Sequence, residues 1–144
     1  MKYEEICDMW DKDSKVDMTK LGQSTIYCAQ LHSKYLRLLL IEKKELRQLE
    51  AKMKILKLEK TEFLLYGPSK ETQQKGWVLP PKGNIIKVEL PLYLEADHDI
   101  ISLSLNIGAC QEKIYALESI LKTINSMGYN INAAIDYQKF MGGG

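Results

Sequence analysis

The sequence predicts a mainly α-helical, self-associating protein. Three observations carry that prediction. Residues 33–66 read as one long helix with an apolar seam and a basic outer surface. Residues 100–124 carry a second, more regular seam, and a short stretch between the two changes to a two-residue period. The expected architecture is a long basic helix packed with a C-terminal heptad-patterned helix, with a short β-hairpin or strand between them. Its segments are 1–67, an acidic helix followed by the basic helix; 68–95, a loop with the strand or hairpin; and 96–144, a helical oligomerisation region. At 144 residues these form one compact unit.

Residues 2–13 form a short acidic amphipathic helix with Ile6, Met9 and Trp10 on one side, and Asp17 is an N-cap candidate for a second helix beginning near Met18. In the long helix, Leu39, Leu46 and Met53 at heptad position a place Tyr35, Leu49, Leu56 and Phe63 at d. Glu42 and Lys60 interrupt the repeat. Between Lys34 and Lys60 the net charge is +5. Arg37, Lys43, Lys44, Arg47, Lys54 and Lys57 fall at outward positions, whereas Lys34, Lys52 and Lys60 lie nearer the seam. A helix this long needs a partner.

Gly67 and Pro68 end it. In IIKVELPLYL, Ile86, Val88, Leu90, Leu92 and Leu94 alternate with Lys87, Glu89, Pro91 and Tyr93, which predicts a half-buried strand, edge-located because Pro91 cannot donate to a ladder. The preceding WVL is its candidate hairpin partner. Ile100, Leu103, Ile107, Cys110, Ile114, Leu117, Leu121 and Ile124 then follow an unbroken 3, 4, 3, 4 spacing. Such a seam can pack on the basic helix and still offer apolar surface to neighbouring subunits. Ile107, Ile114, Leu117, Leu121, Ile124, Ile131 and Ile135 are the oligomerisation candidates. Gly128 is a C-cap candidate, followed by a short helix over 131–140 and a frayed GGG.

The overall charge of +1 conceals a division: −2 over residues 1–33, +7 over 34–87 and −4 over 88–144. A basic middle between acidic ends points to one polyanion-facing surface and others for protein contacts. No apolar run reaches membrane-spanning length and no signal-peptide core opens the chain, so a soluble, intracellular protein without a membrane partner is expected. Three widely spaced cysteines, Cys7, Cys28 and Cys110, read as reduced thiols.

Catalytic patterns are missing. Asp97, His98 and Asp99 are the one tight cluster of potential metal ligands, but just ahead of a helix they read as capping residues, and no metal or cofactor is expected. His32 has no sequence-level partner. GPSKET lacks the spacing of a phosphate loop, and no hydrolase, metalloprotease or kinase signature occurs, so the chain is not expected to be an enzyme. Lys43, Lys44, Arg47, Lys52, Lys54, Lys57 and Lys60 are the candidate phosphate contacts, with Lys57 and Lys60 placed first beside the loop. Tyr66 and Trp77 are open to stacking on bases, while Tyr35 and Phe63 belong to the core.

The chain resembles the UvsY-like recombination mediators of T-even-type bacteriophages. The resemblance rests on VDMTKL at the start of the second helix, SKYL at Ser33–Leu36, KKEL followed by LEA over Lys43–Ala51, and SMGYNI followed by FMGG, in that order over most of the chain. It implies a ring of six or seven identical subunits that binds single-stranded DNA. Such a ring loads a RecA-like phage recombinase onto strands covered by the phage single-strand-binding protein, in the cytoplasm of the infected bacterial host. The family's LKARL motif has its counterpart in LKLEK, Leu56–Lys60: Lys57 matches its lysine, Glu59 departs from it, and Lys60 stands near its arginine. The alternative from the residues alone is a structural coiled-coil or scaffold protein whose lysines merely solubilise the helix.

Overall fold

The computed structural model describes residues 1–15 and 20–142. Its elements are α1 (Tyr3–Asp13), α2 (Leu21–Tyr66), α3 (Lys70–Gln74), α4 (Leu90–Glu95) and α5 (His98–Gly142). The described residues contain no strand, and none of their helices is long and apolar enough to cross a membrane. The Asp17 cap and a start near Met18 lie outside the described residues; α2 is in place from Leu21.

The chain divides into two compact units: Met1–Glu45 with Ala109–Gly144, and Leu46–Gly108. In the first, α1 lies on α2. Glu5 accepts a hydrogen bond from the Lys2 backbone N–H, closing the first turn of α1. At its other end the Asp13 carboxylate accepts from Tyr35 Oη at 2.9 Å and from Lys34, while the Asp13 carbonyl accepts from Tyr27 Oη at 2.8 Å. Trp10 meets the buried Tyr35 ring edge-on, with centroids 5.4 Å apart. Ile6, Leu31, Tyr35 and Leu39 are buried in this unit, as are Cys110, Ile114, Leu117, Leu121, Ile124 and Ile131 of α5. Glu42 pairs with Lys113 at 2.9 Å, and Cys110 Sγ lies 3.3 Å from the Glu42 carbonyl. Cys28 and Cys110 are free thiols, and burial holds both above the ordinary thiol range, so they are poor nucleophiles.

The second unit is closed by a strap over the end of α2. Gly67 adopts φ +92° and its N–H returns to the Phe63 carbonyl, a left-handed stop that a side chain would strain. The Ile85 N–H then satisfies the Leu64 carbonyl, one of the acceptors α2 leaves open. Phe63, Leu64 and Ile85 form the core, with Trp77, Leu79, Leu90, Tyr93 and Leu94 against it.

Two expected elements are corrected. The strand or hairpin is absent: residues 77–79 have no regular structure and α4 stands where the strand was expected. Leu90, Tyr93 and Leu94, spaced for a helix, face the core, whereas Ile86, Val88 and Leu92 are exposed. Pro91 is in the first turn of α4, where a missing N–H has no cost. Nor does α5 stop at Gly128: it runs unbroken to Gly142, and Gly128 keeps a negative φ. Gly143 and Gly144 lie outside the described residues.

Candidate nucleic-acid interface

The part of α2 inside the second unit carries Arg47, Lys52, Lys54, Lys57 and Lys60. The first four are exposed and form no ion pair among the described residues. Arg47 and Lys54 are seven residues apart and Lys57 three further on, so they line one side of the helix; Lys52 sits on another. Exposed Ile55 and Leu58 are interleaved with them. Lys57 also rims an open apolar groove of about 510 Å³ lined by Met53, Leu90, Leu94 and Leu105.

Lys60 is placed quite differently. It is 5% exposed, with Nζ 2.7 Å from Asp99 Oδ2, 3.1 Å from Asp97 Oδ2 and 3.8 Å from the centroid of the Trp77 ring. Two carboxylates and one ring engage its charge. Asp97 does two jobs: Oδ2 holds Lys60, while Oδ1 accepts the N–H groups of Asp99 and Ile100 at 2.9 and 3.0 Å. Asp97 is thus the N-cap of α5. No cluster of three or more potential ligands among the described residues could hold a metal ion.

Trp77 is covered on one side by Lys60, touched edge-on by Phe63 at 5.6 Å, and approached by Lys75 at 4.9 Å. Tyr66 is exposed and remains open to a base. His32 is half-buried on α2, beside a groove in the first unit lined also by Cys28, Asn125, Tyr129 and Asn132.

Lys43 and Lys44 belong to the first unit and both are exposed; Lys43 lies 3.5 Å from Glu118, an exposed pair of little energetic weight. The apolar candidates for oligomerisation are largely covered within the chain. Ile114, Leu117, Leu121, Ile124 and Ile131 are buried, and Ile107 and Ile135 are half-buried.

A family model described as recombination, repair and ssDNA binding protein UvsY matches residues 9–144. The chain belongs to the UvsY family. Crystal structures of the bacteriophage T4 recombination mediator protein UvsY share its fold. The lattice type II form has a TM-score of 0.83 at 22% identity over 98% of each chain. The type I form gives 0.80 at 22% over 95% of this chain and 98% of the other. The type IV form gives 0.77 at 21% over 98% and 99%. No curated protein sequence matches the chain significantly.

In this UvsY-family chain the segment Leu56–Lys60 is divided between two environments. Lys57 points to solvent, Glu59 pairs with Lys75 at 2.7 Å, and Lys60 turns into the core. Asp97 and Asp99 were not foreseen from the sequence as the partners of Lys60. The signal that pointed to them was its place at heptad position a, where a solvent-facing lysine does not belong.

Proposed function

We propose that this chain binds single-stranded DNA without sequence preference, as a homo-oligomer of six or seven subunits. In that form it promotes loading of a RecA-like phage recombinase onto DNA covered by single-strand-binding protein, in the cytoplasm of the infected host. The observation that carries the reading is the outward row of Arg47, Lys54 and Lys57, without ion pairs among the described residues in the second unit of a UvsY-family chain. Lys52 contributes from the flank and Tyr66 offers a stacking surface. Lys43 and Lys44 add positive charge in the first unit. Lys60 serves as a positioning residue: it holds Asp97 and Asp99 at the start of α5 and covers Trp77 instead of meeting phosphate. A few cations per subunit suffice, because repetition around an oligomer multiplies phosphate contacts through effective concentration.

The test is fluorescence anisotropy of a labelled poly-dT strand across a salt series. Binding should weaken steeply with salt. Lys54→Glu with Lys57→Glu should lower affinity at least tenfold, and should flatten the log–log salt slope by about 0.7 for each phosphate the variant no longer neutralises. Absence of binding at low salt would sink the reading and favour a structural coiled-coil role. Loading is tested separately, through recombinase ATPase activity on strands coated with single-strand-binding protein.

A further inference from the structure

The first unit carries two unlike surfaces whose chemistry matches. On α2, Leu36, Leu40 and Ile41 face solvent, the last two each 57% exposed, around a shallow groove of about 410 Å³ flanked by Arg37 and Lys44. Three large aliphatic side chains on the outer side of an already packed helix are an unusual concentration of exposed apolar area. The opposite chemistry occurs where α1 begins. Helix α1 carries a net charge of −4, with Glu4, Glu5, Asp8 and Asp11 all exposed. Lys113 Nζ holds the Met1 carbonyl at 3.1 Å, which fixes this end of α1 against α5. The Tyr3 phenol is raised above its ordinary range, first by its hydrogen bond with Cys7 and then by other neighbours that include the carboxylates of Glu112 and Glu4. With the Met1 carbonyl held by Lys113, Tyr3 and Glu4 in the first turn of α1 stand beside Glu112, the residue before Lys113, in one acidic, aromatic patch. Tyr115, three residues along α5 from Glu112 and 74% exposed, extends it.

We propose that the aliphatic, basic groove of Leu36, Arg37, Leu40 and Ile41 docks the acidic, aromatic patch of Tyr3, Glu4, Glu112 and Tyr115 on a second copy of this chain. The inference rests on the homo-oligomer of the proposed function and supplies its contact. Charge complementarity selects the occupant: the cations flanking the groove meet carboxylates, and the aliphatic side chains meet tyrosine rings. Because the two surfaces differ, the contact is head-to-tail. Each copy keeps one unused face after pairing, so assembly continues until it closes into a ring. The buried seam of α5 is then the inner support of the contact and not the contact itself.

Sedimentation velocity without DNA tests it. One variant, Arg37→Glu with Leu40→Asp, blocks the groove; another, Glu112→Lys with Tyr115→Lys, blocks the patch. All four positions are exposed, and unchanged circular dichroism checks the fold. Wild-type protein should sediment as a large assembly and each variant alone as a monomer. An equimolar mixture should give a dimer and nothing larger, because one intact groove then meets one intact patch. Variants that keep the wild-type mass would overturn the docking surfaces while leaving self-association intact. A monomeric wild type would remove self-association from the proposed function and this contact with it. Wild-type binding to phosphatidylserine vesicles that Leu40→Asp abolishes, in the absence of any assembly, would assign the groove to a membrane surface and also overturn the inference.

Discussion

The two units solve the same problem with opposite charges. Each contains a break in the apolar seam of α2, and each break is a buried ion paired with α5. In the first unit α2 supplies the acid, Glu42, and α5 the base, Lys113. In the second α2 supplies the base, Lys60, and α5 with its N-cap the acids, Asp99 and Asp97. An apolar seam alone tolerates slippage by a heptad, whereas a buried charge facing leucine is heavily penalised. The inversion also excludes exchanging the two ends of α2, since each would then meet its own sign. These interruptions therefore specify pairing, and Lys60 and Lys57, three residues apart, stand in opposite surroundings, one buried and one exposed.

The contrast between those two lysines gives the largest expected effect. Lys60→Ala removes the partner of Asp97 and the cover of Trp77, and should destabilise the protein by on the order of 3 kcal/mol in urea unfolding. Lys57→Ala should stay within about 0.5 kcal/mol of wild type, since Lys57 is exposed and has no ion pair among the described residues. Equal effects would erase the division of labour. Next comes the first unit's pair: Glu42→Ala should cost on the order of 2 kcal/mol, because the largely buried Lys113 loses its carboxylate and keeps only the Met1 carbonyl. Glu42→Leu combined with Lys113→Leu should recover most of that stability. Failure to recover would mean that the pair stabilises the fold outright instead of only specifying it.

A smaller effect separates the units by pH. For Asp13, burial is the largest single influence and pushes its carboxyl up. Hydrogen bonds from Lys34 and Tyr35, with the Lys34 charge, outweigh it and leave the group below its ordinary value. A carboxyl depressed in the folded state stabilises it fully above the unfolded value of about 4, and that contribution is lost as pH falls through the folded value. Acid should therefore loosen α1 first. With Trp77→Phe removing the second indole, Trp10 fluorescence should change below about pH 4, and Asp13→Asn should show the loosened signal already at neutral pH. A Trp10 signal that does not respond to Asp13→Asn would place the hold on α1 elsewhere.

Much of this was legible in the sequence. The long helix, its seam and the regular α5 repeat are periodic over many turns, and periodicity survives local ambiguity. The row of Arg47, Lys54 and Lys57 followed from the same register. What could not be read was set by tertiary contact. Leu90, Leu92 and Leu94 satisfy a period of two, yet Leu90, Tyr93 and Leu94 satisfy a helix equally well over so few residues. The strap packing on Phe63 decided between them. Lys60 looked like part of the basic surface because its partners are about 40 residues away. Its heptad position carried the warning, and so did that of Glu42. Both interruptions could have been paired with Asp97, Asp99 and Lys113 once α2 and α5 were taken as antiparallel.

Glycine offers the smallest and most local way to sharpen the contrast between the units. Gly128 in the first unit and Gly67 in the second both read as helix stops, yet only Gly67 adopts a positive φ. At Gly128 a Cβ would meet nothing within 4 Å, and the residue sits inside a continuous helix where glycine is costly. Gly128→Ala should stabilise the protein by about 0.5–1 kcal/mol. Gly67→Ala finds space, with Asn84 Oδ1 at 3.5 Å, but inherits φ +92° and should destabilise by at least about 1 kcal/mol. Thermal unfolding of the two variants reads both signs at once. A drop in stability at Gly128 would mean that the residue acts as a break between two helices, and that the C-terminal end of α5 moves independently of the seam that precedes it.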